Sequence, residues 1–230
     1  LNATAYRVDN GYKYPNIITK GSHCEKCKKQ LTWIELVPIF GYIYIKGKCP
    51  KCKTKINIYY PISELVLGIT TLLFYIYEIT WISWILLIIL FILSYHDVKY
   101  KAVPKNLVHI FLSVSVIFFL LFSLNIQNIY LPLLLSGMLF IINMVKKSFG
   151  IGDILVFLAL GILLSPSQFF VLFWLSIVTA LLYSIIYCLM YRKNIKKLKI
   201  PMIPFVSIAY ILTLLYGEII WKLLLKYLSI

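Results

Sequence analysis

From residue 61 onward the chain is a succession of long apolar runs broken by short polar connections, whereas apolar and polar residues are mixed before that point. The runs cover residues 62–77, 81–95, 107–124, 129–145, 154–164, 169–190 and 203–220. They approach the roughly 20 residues a helix needs to cross a bilayer, although several are short. The pattern predicts an all-α polytopic membrane protein of about seven helices, with residues 59–230 as the membrane domain and residues 1–58 as a small polar head. The sequence opens on Leu1 and no apolar segment precedes the head, so a further N-terminal span is expected ahead of it. No cleavable signal peptide, repeat or low-complexity tract is visible.

Composition removes the soluble alternative. Hydrophobic residues make up 61% of the chain and the mean hydropathy is +0.89, against the roughly half-apolar composition of ordinary globular domains. The formal charge of +15 raises the question of nucleic acid, and the placement of the charge answers it. Eleven of the 23 Lys and Arg lie before Tyr59. The others follow alternate helices: Lys99, Lys101 and Lys105, then Lys146 and Lys147, then Arg192, Lys193, Lys196, Lys197 and Lys199. The connections around Glu78, Asn125–Asn128 and Ser165–Pro166 carry none. This is the positive-inside pattern of a membrane protein and puts the head, with the loops bearing Asp97 and Asp153, on the cytoplasmic side. Lys222 and Lys226 fit it less well, because seven spans leave the C-terminus outside. The expected surroundings are a lipid bilayer and no nucleic acid.

Two CxxC words, Cys24-Glu25-Lys26-Cys27 and Cys49-Pro50-Lys51-Cys52, stand 21 residues apart in the head, close to zinc-ribbon spacing. Each word aims two sulfurs at one point, and two such turns close a tetrahedral thiolate site. Disulfides or idle thiols are the alternatives, and a reducing cytoplasm disfavours the first. A head this small also lacks the core to fold readily without a staple. The expectation is therefore a structural Zn2+ on Cys24, Cys27, Cys49 and Cys52, with no open position for water. His23 reads as a surface residue beside this set, and Cys188 as a small buried apolar side chain.

Only three aspartates exist, and two of them, Asp97 and the last residue of Gly150-Ile151-Gly152-Asp153, border apolar runs. An ionisable group beside hydrocarbon is a functional-site hypothesis by default. Two nearby carboxyls cannot both ionise freely, so one can take a proton from water while the other polarises a carbonyl. Asp153 opens the fifth helix and Asp97 closes the second, which suggests Asp153 as base and Asp97 as acid. Gly150 and Gly152 permit unusual backbone angles and close approach of a substrate. Taken singly, Asp97 could be a solvated loop acid beside Lys99, and Asp153 an ordinary helix N-terminal acid. His96 and His109 read as interfacial side chains, Glu64 as a snorkelling acid, and Trp81 with Trp84 as an outer aromatic belt.

The paired acids, with the GxGD word around Asp153, resemble those of intramembrane aspartyl proteases, and the wider set of words narrows the resemblance. Glu35-Leu36-Val37-Pro38, Gly47-Lys48-Cys49, Tyr60-Pro61-Ile62-Ser63-Glu64, Asp97 with Pro104 seven residues on, and Ile200-Pro201 to Pro204-Phe205 follow in order. Together with Leu1-Asn2 and Tyr6-Arg7, this string is similar to the bacterial type IV prepilin leader peptidase and N-methyltransferase family over nearly the whole chain. Leu155 and Tyr59 stand where members often carry Lys and Arg. The resemblance implies an endopeptidase of the bacterial plasma membrane that cleaves prepilin or pseudopilin leaders at the cytoplasmic face. It implies Asp97 and Asp153 as catalytic residues and Gly150 and Gly152 as active-site backbone. It also implies N-methylation of the new terminus from S-adenosylmethionine, although no Rossmann-type glycine fingerprint is present. The alternative is a non-enzymatic ion or proton pathway through Asp97 and Asp153 with a zinc docking head.

Overall fold

A computed structural model of the chain describes residues 21–123, 127–146, 150–191 and 200–227. Leu1-Asn2, Tyr6-Arg7, Asp9, Lys147 and the basic run from Arg192 to Lys199 lie outside the described residues. The chain divides into two compact units, residues 1–78 and 79–230, so the first long helix is counted with the head.

Among its described residues the head holds two short helices, α1 (Trp33–Leu36) and α2 (Phe40–Tyr44), and then the long α3 (Tyr59–Ile76). Its only β structure among the described residues is two isolated bridges, His23 with Gln30 and Lys48 with Lys55. Glycine is needed at two turns. A β-carbon on Gly41 would sit 2.4 Å from the Glu35 carbonyl oxygen, so α2 can fold back closely on α1. Gly47 has φ +65°, a left-handed conformation that glycine adopts without steric cost.

The second unit holds α4 (Trp81–Tyr100), α5 (Lys105–Phe118), α6 (Gln127–Lys146), α7 (Ile151–Gly161), α8 (Pro166–Tyr191) and α9 (Ile203–Tyr227). A π turn, Phe119–Ser123, continues α5. Every apolar run of the sequence is thus a helix. Five of them are individually long and apolar enough to cross a membrane, whereas α3 and α7 are shorter. At 1.5 Å per residue the eleven residues of α7 span about 16 Å, roughly half the hydrocarbon core.

The buried stripe of α4 runs Leu86, Leu87, Leu90, Leu93, Ser94 and Asp97, the three-to-four-residue spacing of one helix face. On α9 the matching stripe is Ile203, Val206, Ser207, Tyr210 and Thr213. The two helices pack along these stripes, and α9 also lies against α8. α7 packs on α5, α6 and α8, with Val156, Ala159 and Leu160 fully buried. Outward-facing positions such as Ile117, Leu133, Ile141 and Leu181 are large and apolar, as lipid-facing surface must be.

Among the described glycines of the second unit, Gly161, where α7 ends against α6, has the tightest surroundings. A β-carbon on Gly161 would stand 2.6 Å from Pro132 Cβ and 2.8 Å from Phe169 Cε2, whereas one on Gly137 would meet nothing within 4 Å. Small residues allow such approaches in membranes, where packing drives association. Gly161→Ala is therefore expected to destabilise the unit by about 1–3 kcal/mol through overpacking. Gly137→Ala should be neutral or slightly stabilising, and denaturant titration in mixed micelles compares the two.

Candidate functional site

Asp97 lies in the last turn of α4 on its buried stripe, with 6% of its surface exposed. This excludes the solvated loop acid, because the helix continues past Asp97 to Tyr100 and turns the carboxyl inward. Its Oδ2 accepts the Ile203 N–H at 2.9 Å, and the Met202 N–H also donates to the carboxylate. These donors are backbone groups at the start of α9, which an isolated helix leaves without partners. Pro204 in the same first turn has no N–H to satisfy. One turn below, Ser94 Oγ and Ser207 Oγ are hydrogen-bonded at 2.8 Å, and Ser207 also donates to the Ile203 carbonyl. The Ile200-Pro201 to Pro204-Phe205 word thus opens the helix whose first amides hold Asp97.

Asp153 stands in the first turn of α7, and Gly150 is the N-cap. The Asp153 carboxylate turns back to accept the Gly150 N–H, the acidic half of a capping box. Asp97 and Asp153 are close enough to interact electrostatically. The segment after Asp97 closes the gap: Val103 and Val108 lie 3.5 and 3.7 Å from where a Gly152 β-carbon would be. Neither glycine uses a left-handed angle, and Gly150 has φ −70° and ψ 138°. Gly150 supplies room instead, since its β-carbon would lie 3.0 Å from Asp153 Oδ2. The helix-end assignment of acid and base also loses its basis. Asp97 closes one helix but faces the N-terminus of another, so both acids now have helix N-terminal donors. His96, expected at an interface, is buried at 8% and stacks on Tyr100, while His109 is exposed.

In the head, the two CxxC words fold alike. Cys24 N–H donates to the Lys29 carbonyl and Lys28 N–H to the Cys24 carbonyl. The same pattern recurs at Cys49 with Thr54 and at Lys53 with Cys49. Lys28 and Lys53 both have φ +57°. The four Sγ atoms converge within 4.8 Å of one another, with Cys24 to Cys52 at 3.7 Å and Cys27 to Cys49 at 3.8 Å. A tetrahedron with metal–sulfur bonds of about 2.3 Å has edges of about 3.8 Å, so the set could hold one metal ion. His23 is not in it. The Thr54 hydroxyl, 3.2 Å from Cys52 Sγ, and the Thr54 backbone hold the Cys52 thiol low, at about 6.

Glu35 accepts from Lys29 Nζ and from the Thr32 N–H, both at 2.8 Å, and the Lys29 bond is the main reason its carboxyl stays below the usual range. A cavity of about 370 Å³ opens between the knuckles and the start of α3. Glu25, Glu35, Glu64, Tyr42 and Tyr60 line it beside Cys24 and Cys49. Glu25 accepts the Tyr60 hydroxyl, and Glu64 accepts the Ile39 N–H at 3.0 Å. Sequence reasoning missed these linkages, and also the α9 amides on Asp97; the proline pair before the last apolar run was the one available signal.

A buried acid and a half-buried one on separate membrane-compatible helices, in a chain that also carries a four-cysteine head, belong to a polytopic membrane protein. The family model of the bacterial peptidase A24 N-terminal domain matches residues 1–78, and that of the type IV leader peptidase family matches residues 84–185. The chain belongs to the type IV leader peptidase family. It is 28% identical over 225 residues to a Bacillus subtilis protein named prepilin leader peptidase/N-methyltransferase, covering 92% of this chain and 88% of that one. A Vibrio cholerae protein of the same name is 28% identical over 240 residues, with 92% and 89% covered. A Neisseria gonorrhoeae relative is 39% identical over 54 residues, 24% of this chain and 19% of that one. No solved structure matches the chain significantly.

The glycines of the GxGD word should separate in function. Gly150→Ala is expected to displace the Asp153 carboxylate and lower the rate of leader cleavage up to about 100-fold, the scale of an ångström-level misplacement. Gly152→Ala meets only ordinary contacts and should retain most of the rate. Cleavage of a precursor in the same vesicles, normalised to inserted protein, makes the comparison.

Proposed function

We propose that Asp97 and Asp153 hydrolyse the leader-peptide bond of type IV prepilin or pseudopilin precursors at the cytoplasmic face of a bacterial inner membrane. The observation that carries this reading is the electrostatic proximity of two acids on separate helices, Asp97 buried and Asp153 half-buried. Acids strung apart along a channel would suit ion movement, whereas a pair sharing one neighbourhood suits general acid–base work on a water. The ionised member takes the proton of the attacking water. The protonated member donates to the scissile carbonyl oxygen and, on collapse, a proton goes to the leaving amine. The helix N-terminal amides of α9 and α7 hold each carboxyl in place.

Cys24, Cys27, Cys49 and Cys52 would hold a structural zinc, since four thiolates leave no coordination position for a substrate. The relatives named above also carry the methyltransferase name. The head cavity suits a methyl donor of the S-adenosylmethionine type: its carboxylates would complement a sulfonium cation and ribose hydroxyls, its tyrosine rings would pack on a purine, and about 370 Å³ lies within the usual range for small-molecule sites. When bound, the donor supplies the methyl group.

Asp97→Asn and Asp153→Asn are each expected to lower cleavage at least about 1,000-fold while the protein still inserts, because one carboxyl cannot serve as both acid and base. Precursor incubated with labelled S-adenosylmethionine, followed by mass analysis of the product N-termini, tests both activities. Asp153→Asn given pre-cut substrate should still transfer label. Comparable turnover by either Asn variant and the parent would overturn the aspartyl assignment.

Purified protein should contain one zinc per chain, and Cys49→Ser should lose it along with the protease resistance of the head, because metal binding supplies folding energy to so small a unit. Elemental analysis and limited proteolysis read this outcome. A zinc-free protein with an intact head would refute it.

A further inference from the structure

We propose that the α1–α2 segment of the head is an interfacial membrane anchor, with its apolar side chains inserted in the headgroup layer of the leaflet that α3 enters. Residues 31–45 contain a single charge, Glu35, which is already paired with Lys29. Several of its apolar side chains are unusually exposed: Trp33 at 90%, Phe40 at 72%, Tyr44 at 69% and Ile43 at 63%. Contiguous apolar exposure of this kind marks an interaction surface. Trp and Tyr are the side chains that favour a membrane–water interface.

Geometry within this unit sets the depth. Ile39 has φ +63° and ψ −54°, a γ-turn conformation rare for a β-branched residue, and the Phe40 N–H bonds the Pro38 carbonyl across it at 2.6 Å. The turn aims the Ile39 N–H at Glu64 Oε2, 3.0 Å away. Glu64 lies five residues into α3, about 7.5 Å along its axis, which is comparable to the thickness of one headgroup layer. The start of α2 is therefore tied to α3 where a polar chain becomes an apolar helix displaying Ile62, Leu65 and Ile69.

Charge complementarity identifies the occupant. Eleven Lys and Arg face three acids before Tyr59, and Lys26, Lys28, Lys46, Lys48, Lys51 and Lys53 are exposed. An anionic leaflet attracts such a cluster, and the apolar segment then inserts between the lipids. An apolar helix of a precursor would find no role for that basic excess. The proposal rests on α3 entering a bilayer and not on the peptidase reading.

The test uses the full chain in proteoliposomes, one set containing phosphatidylglycerol and one phosphatidylcholine alone. The chain has five tryptophans, so the difference between parent and Trp33→Phe isolates the signal of Trp33. That signal should be blue-shifted, quenched by lipids brominated near the headgroup and protected from aqueous acrylamide, most strongly with phosphatidylglycerol. A Phe40→Ser, Ile43→Ser double variant should lose the protection; both positions are exposed, so the fold should persist and precursor cleavage reports that it does. Acrylamide quenching of Trp33 as free as that of a soluble tryptophan amide would overturn the proposal. Protection that appears only after precursor is added would overturn it too, and would make this surface a substrate site.

Discussion

A carboxylate with only 6% of its surface exposed, on a helix face of leucines, must find donors, and Asp97 finds them in the first amides of α9. Leaving either side unmet would cost several kcal/mol, because an unpaired charge and orphaned amides are both expensive away from water. Much of the second unit follows from that bond. It fixes α9 against α4 in one register, which the Ser94–Ser207 hydrogen bond repeats one turn away. It also explains why a proline can open α9, since the position it occupies has no amide to place. The residues after Asp97 then run to Val103, which packs where Gly152 has no side chain, and so the second acid arrives beside the first.

The head solves a different problem, with almost no regular structure to rely on. Two bridges and two one-turn helices bury little, and among the described residues ahead of α3 Cys49 is the one buried apolar side chain. What organises it is repetition of a single turn, each copy with a lysine in the left-handed region after its second cysteine. A non-glycine residue there carries strain that only a strong local constraint maintains. Convergence of four sulfurs on one point is such a constraint, and the Lys29–Glu35 pair extends it to α1.

The apolar runs were legible because hydrocarbon permits little else: each had to be a helix, and only the ends moved, as where α4 continues past residue 95 to Tyr100. That extension was hidden because Asp97 and Lys99 look like loop residues until the buried stripe ending on Asp97 is seen. The cysteine set was legible because CxxC fixes two ligands locally and four in one head have few other uses. The glycines stood out as part of a word, but what Gly150 does in the fold is something that sequence cannot supply. The backbone at Gly150 is ordinary, and the space its missing side chain leaves is a tertiary fact. The same holds for the amides on Asp97, which belong to residues 202 and 203, more than a hundred positions away. Hydrophobic periodicity reports which face of a helix is buried, and not which helix end meets it.

Backbone donors suit this pair better than a cation would. Among the described residues neither Asp97 nor Asp153 is paired with Lys or Arg; their hydrogen-bond partners are the amides of Met202, Ile203 and Gly150. A lysine beside the acids would favour both in the charged form and leave no carboxylic acid to polarise a carbonyl. Amides orient a carboxyl oxygen without adding a full charge, so a single proton can be shared across the pair and titrate as a property of both. Each acid is also held by the N-terminal amides of a different helix, Asp97 by those of α9 and Asp153 by that of Gly150 at the start of α7. In the hydrolytic cycle proposed for the pair, the proton can then pass from one acid to the other without either carboxyl moving with it.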